Sequence, residues 1–264
     1  SLDQTSSGDI TTGGDVLLEA GNAWTMAGGA VITATGNVVG HVLSGDATLG
    51  LINATHVGLT ASGSILDANL GSMNISATDL SLVSETGLIG GADSLNGNAD
   101  QNVNALDIAV DSLTASSESG IYVSEADDLT ITLVDAVSVD VDSVVRVNFD
   151  STTSDVSEDQ TRSSLEDLST TTDGPIKLVS LAGSLTIDGG SDSVGVSAAG
   201  SGDVLIESRG ADSDVIIDGD VVSGSGNITL DAANDLTVNA AVSTAGSGVV
   251  YLVAGNDVSV NDSL

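Results

Sequence analysis

Cysteine is absent from the 264 residues, which excludes disulfides, thiolate metal sites and cysteine nucleophiles. Positive charge is almost absent too. Four cations (Arg146, Arg162, Lys177 and Arg209) face 38 acidic residues, a formal net charge of −34. Such a surface repels phosphate backbones and anionic lipids, which argues against nucleic acid and membrane surfaces as partners. No apolar run approaches the ~18 residues of a membrane span. Aromatics make up 2% (Trp24, Tyr122, Phe149 and Tyr251) and Pro175 is the one proline. Val, Ile, Leu and Ala must therefore fill the core, a set suited to strands.

What the chain has is rhythm. Gly-Ser-Gly recurs at Gly200-Ser201-Gly202, Gly224-Ser225-Gly226 and Gly246-Ser247-Gly248. The starts are 224 − 200 = 24 and 246 − 224 = 22 residues apart. After each comes an apolar-x-apolar run: Val204–Ser208, Ile228–Ala232, Val250–Ala254. A second run follows, introduced by Asp214, Asp235 and Asp257. More degenerate copies of the first run are read at Val16–Ala20, Val57–Ala61, Leu80–Ser84 and Ile176–Ser180. Copies of the second are read at Ser64–Asp67, Gly87–Gly90 and Leu185–Gly189. Short strands at a period of ~22–24 residues, separated by Gly, Asn, Asp and Ser, predict an all-β parallel β-helix (solenoid) with three short strands per coil. A β-sandwich also has many short strands, but it does not require successive units to repeat residue by residue.

Alternation along a strand assigns the faces. Ile228, Leu230 and Ala232 point inward, with Val204, Ile206 and Ser208 stacked on one side and Val250, Leu252 and Ala254 on the other. Roughly eleven coils at ~4.8 Å each predict a rod about 50 Å long. From 135 to 173 the period lapses and Ser, Thr, Asp and Glu dominate, so this segment is read as an irregular acidic insertion, an edge hairpin or flap over the core. The whole of 1–264 is otherwise one β-helix segment. Its last residues, Ser263 and Leu264, fall partway through a repeat, which reads as a segment of something longer.

The recurring Val-x-Leu-x-Ala, Gly-Ser-Gly-Asn-Ile and Asp-Leu-Thr-Val-Asn text resembles filamentous-haemagglutinin-like repeats, most sharply from Gly200 onward. The resemblance implies a right-handed parallel β-helix, exported to the bacterial cell surface or beyond, serving as an adhesin shaft or extracellular filament.

Site chemistry is sparse. With 38 acids, the proximity of two carboxylates is uninformative about glycoside hydrolysis, and the scattered aromatics build no sugar platform. His41 and His56 lie on ordinary strand text. No cofactor is required by any motif, although calcium has two pointers. Gly90–Asp100 loosely matches a calcium β-roll nonapeptide. The other is Asp188, Asp218 and Asp220, where Ile187-Asp188-Gly189-Gly190 and Ile217-Asp218-Gly219-Asp220 would stack on adjacent coils; like charges one strand spacing apart invite a cation. The expectation is a non-enzymatic rod segment of a giant extracellular adhesin or filament. Its open ends would contact neighbouring segments or further copies. The second reading is a carbohydrate- or calcium-dependent binding module that recognises host or cell-surface glycans through 135–173. A polysaccharide-degrading β-helix enzyme is the third.

Overall fold

In the computed structural model, which describes residues 1–92, 103–139, 145–155 and 160–264, the chain is all-β and its strands stack in parallel as a β-helix or solenoid does. Successive levels are joined by Cα pairing in register. Leu2, Trp24, Ala47, Ile65, Ile89, Ile121, Ile176, Val204, Ile228 and Val250 follow one another as partners, ten tiers among the described residues. Nine spacings of ~4.8 Å make a stack roughly 43 Å long, shorter than the eleven coils expected. The missing length went into two excursions, where consecutive partners are 121 − 89 = 32 and 176 − 121 = 55 residues apart. Elsewhere the step varies from 65 − 47 = 18 to 204 − 176 = 28.

Three further inward columns run beside this one. Val16, Val38, Val57, Leu80, Leu113, Ile131, Ile187, Ile217 and Val238 form the second. Leu18, Gly40, Leu59, Leu82, Ala115, Leu168, Val196, Val221 and Val242 form the third. The fourth begins with five isoleucines, Ile10, Ile32, Ile52, Ile75 and Ile108, then continues through Glu125, Ser180, Ser208 and Ala232. Most aliphatic members are fully buried; each buried Val, Leu or Ile contributes about 1.5–3 kcal/mol. Trp24 takes its place through Gly40, whose missing Cβ would lie 2.7 Å from Leu59 and 2.8 Å from the indole.

One phase assignment made from the repeats is overturned. Val16–Ala20, Val57–Ala61 and Leu80–Ser84 carry the same text as Val204–Ser208 but do not stack beneath it. They feed the columns of Ile187 and Val196, whereas Ile65 and Ile89 lead to Val204. Every inward column asks for the same apolar-x-apolar pattern, so the text cannot say which side of the coil it occupies. Up to Ser117, one strand serves both the second and third columns, as His56–Ala61 does. From Ile121 onward, one strand serves the first and fourth, as Ile176–Ser180 does. The corners thus shift between Leu106–Ser117 and Ile121–Glu125, beside both excursions.

Corner carboxylates bind the coils together. Asp128 accepts the N–H of Ser184, Ser184 Oγ that of Asp214, Asp214 that of Asp235, and Asp235 that of Asp257. Asp15, Asp46, Asp173 and Asp203 likewise accept N–H groups of Asn37, Ser64, Ser201 and Asn227 on the next coil. Turning backbone leaves donors that the strand ladders do not use, and these side chains take them. Part of the acidity is therefore coil-to-coil bracketing rather than coat alone.

Candidate functional site

Asp188 and Asp218 directly follow the stacked pair Ile187 and Ile217. Asp188 accepts from Thr132 at 3.2 Å on the preceding tier, and Asp218 from the Asn239 amide at 2.7 Å on the following one. Asp220 accepts the N–H of Ala241 at 2.9 Å and starts another strand. The first two are brought to adjacent tiers and the third is turned to a different task. Among the described residues, no group of three or more His, Cys, Asp and Glu could hold a metal. The β-roll-like stretch Gly90–Asp100 falls mostly on 93–102, outside the described residues. His56 Nδ1 lies 2.6 Å from Asp79 Oδ2, while His41 pairs in register with Thr60, in another column from His56.

The Gly-Ser-Gly corners turn on close approach. A Cβ on Gly202, Gly226 or Gly248 would strike the carbonyl of Gly174, Gly202 or Gly226 respectively, and one on Gly224 that of Gly200. A Cβ on Gly246 would meet Ser225 at 2.5 Å. Of the six glycines in these motifs, Gly200 alone has a positive φ, +57°.

Between Ile131 and Leu168 the chain forms an antiparallel arm. Val134 and Leu165 exchange backbone hydrogen bonds at 2.9 and 3.1 Å, Val137–Val139 pairs with Gln160–Arg162, and Val145–Val147 pairs with Thr153–Asp155. Leu168–Thr170 then re-enters the parallel stack between Ala115–Ser117 and Val196–Ala198. The arm lies on the outside of much earlier tiers: Asn37 Nδ2 donates to Ser138 O at 2.8 Å, and Val134, Val137 and Val139 are buried with Val39. At its far turn, Asn148 N donates to Thr152 O and Asp150 accepts from Thr152, leaving Phe149 fully exposed.

Three carboxyls are pushed far above the ordinary carboxylate range. Glu125 is 0% exposed, inside the stack between Ile108 and Ser180. Burial pushes it up to about 8, against the N–H groups of Asp127, Ala126 and Val110, which favour the charged form. Asp167 is pushed up to about 7 by desolvation, then by the charges of Asp192 and Glu166. Asp107 is pushed up to about 6 mainly by desolvation, with a hydrogen bond from Ser124 opposing and the charge of Asp67 assisting. The repeat reading missed Glu125, although alternation from Ile121 and Val123 already points it inward. Sealed in the core, it meets no substrate. Glu166 and Asp167, both half-buried, stand beside the exposed Asp192, and Glu166 is held by the N–H and hydroxyl of Ser191. A groove of about 400 Å³ lined by Asp111, Asp128, Leu129, Thr130, Ser184 and Thr186 offers carboxylates and hydroxyls to solvent.

No family model, curated protein or solved structure matches the chain. No helix among the described residues is long and apolar enough to cross a membrane.

Proposed function

We propose that the chain is a structural, non-enzymatic rod segment of a giant bacterial extracellular adhesin or cell-surface filament, built as a right-handed parallel β-helix with three short strands per coil. The observation that carries this reading is the run of in-register aliphatic columns through ten tiers, bracketed at the corners by side chains that reach the next coil. From Ile176 onward each strand pairs with the third strand after it, which supports the strand count. Right-handedness is favoured by the geometry of parallel crossovers. Stiffness follows because the strands of each tier pair with the tiers on both sides, so bending must break many bonds together.

The test combines electron microscopy of the purified chain with an activity screen on a polysaccharide panel. Uniform short rods and intact polysaccharides are expected. Depolymerisation of any substrate, lost in Asp167→Asn, overturns the reading in favour of an enzyme.

A second reading, a carbohydrate- or calcium-dependent binding module with recognition in 135–173, is favoured on its carbohydrate side by Phe149, a fully exposed aromatic ring on a hydrogen-bonded turn. It requires Phe149→Ala to abolish binding on a glycan array without changing the melting temperature. Equal array signals from both proteins remove it.

A further inference from the structure

We propose that the arm between Ile131 and Leu168 is an axial clasp, fastening the early coils to the later ones across the joint where the first column is held most thinly. On the other sides of that coil Ile75–Ser84 pairs at length with His56–Ala61 and Leu106–Ser117. The joint is the tier of Ile89. Its neighbours in the first column are paired through strands, but Ile89 is held by single-residue bridges to Ile65 and Ile121. Ile89 and its chain neighbours are held to the adjacent tiers by separate bonds rather than a strand ladder: Ile65 N to Leu88 O at 2.9 Å, Gly90 N to Ile65 O at 2.8 Å, Ile89 N to Gly120 O at 2.9 Å, Tyr122 N to Ile89 O at 2.8 Å and Ser119 N to Gly87 O at 2.8 Å. The corners also shift between this tier and the next, so a coil of one layout must seat on a coil of another.

The arm bypasses that joint. It leaves and rejoins the stack on the later side, at Ile131 and Leu168, yet its middle strands lie against Asn37–Val42 and His56–Ala61 on the earlier side. Its track is prepared. The outward residues Leu17, Val39, Gly58, Ser81 and Thr114 succeed one another in register over five tiers. None carries a charge, in a chain with 38 acids. Although they point away from the core, Val39 and Ser81 are 2% exposed and Thr114 is 0% exposed. Val137 and Val139 are 4% and 3% exposed over this strip. Gly58 is the seat: a Cβ there would stand 2.6 Å from Arg162 Cγ and 3.2 Å from Val137 Cβ. Arg162 is one of four cations in the chain. Its charge is spent here, half-buried and attracted by Glu85 on the next coil. The arm therefore adds a load path between the earlier tiers and the tier of Ile131, in parallel with the bridges at Ile89.

The test uses the absence of cysteine. In Gly58→Cys/Val137→Cys the two Cβ atoms start a few tenths of an ångström closer than a relaxed disulfide requires, and the Arg162 side chain must move off the new Cβ, so the disulfide is what holds the arm in place in the oxidised form. Amide hydrogen exchange at Ile89 and Tyr122 is then compared between the oxidised and reduced forms of this one protein and in Gly58→Val, where the new side chain displaces the arm. Exchange at the joint is expected to be at least tenfold slower in the oxidised form than in the reduced form. In Gly58→Val it is expected to be faster than in the parent, with the later coils unchanged. The same exchange at Ile89 and Tyr122 in all forms overturns the clasp and leaves the arm a surface decoration. Should Gly58→Val not fold, the oxidised and reduced forms decide alone.

Discussion

Glu125 stands in a column that is isoleucine on five tiers before it and serine on the two after it. Ser180 and Ser208 satisfy their hydroxyls on backbone carbonyls of Gly183 and Ser213, a neutral exchange that costs little. Glu125 must shed its charge instead. Its folded pKa of about 8 lies above the ordinary 4.5, so the folded state keeps a proton that the unfolded chain releases. The associated stability is complete below pH 4.5, falls as pH rises through the window and is lost above about 8. Asp107 and Asp167, raised to about 6 and about 7, act in the same direction. We expect the melting temperature to fall by more than ~5 °C between pH 5 and 8, and Glu125→Gln to flatten that slope. General repulsion within an acidic chain would give the same trend, but salt screens it and spares a buried group. A slope that disappears in 0.5 M sodium chloride (a screening length of about 4 Å) would assign the effect to the surface.

At the scale of strands and corners, the brackets give a subset of the aspartates a structural task. Asp214 accepts from both the Asn234 amide, at 2.8 Å, and the Asp235 N–H, at 3.0 Å. Asp214→Ala is expected to cost about 1–2 kcal/mol in urea unfolding. Asp212→Ala, exposed in the same loop, should stay within about 0.5 kcal/mol. Equal effects at both positions would mean that the acids serve as coat alone. The corner at Asp188 and Asp218 behaves differently, because each draws its donor from the tier away from the other. Calcium between them is a proposal with a plain readout: millimolar calcium should raise the melting temperature beyond sodium at matched ionic strength. The increment should vanish in the Asp188→Asn/Asp218→Asn double variant. Identical melts in the two salts would remove calcium from the reading.

The strands themselves were legible to different depths. Ile228–Ala232 and its neighbours repeat closely enough that their register could be written down, and the pairing of Val204, Ile228 and Val250 agrees with it. Leu59 and Leu82, one period apart in the text, are also partners. The side of the coil to which Val57–Ala61 belongs was not legible. Nor was the docking of Val137 over Gly58, since nothing in either local pattern encodes a contact made across 137 − 58 = 79 residues.

At the scale of the molecule, the last tier leaves its apolar residues open: Val258 and Val260 are 46% and 41% exposed, where Leu236 and Val238, one tier earlier, are both at 0%. The strand edge beyond them carries unpaired backbone groups. We propose that on the rod reading this exposed face takes a second copy, a head-to-tail contact that does not close on itself. Sedimentation of the isolated chain is expected to show association that grows with concentration and is abolished by Val258→Asp/Val260→Lys. A strict monomer at millimolar concentration with an intact strand spectrum would rule out self-assembly.

The sequence by itself determined an all-β chain of stacked aliphatic columns with an acidic exterior. Those properties rest on alternation and composition, which act within a few residues. The tertiary structure decided which column each repeat enters, that a carboxyl is sealed among them, and that an arm crosses back over five tiers. Those outcomes depend on pairings between strands twenty to a hundred residues apart, where identical local patterns compete and only simultaneous packing selects among them.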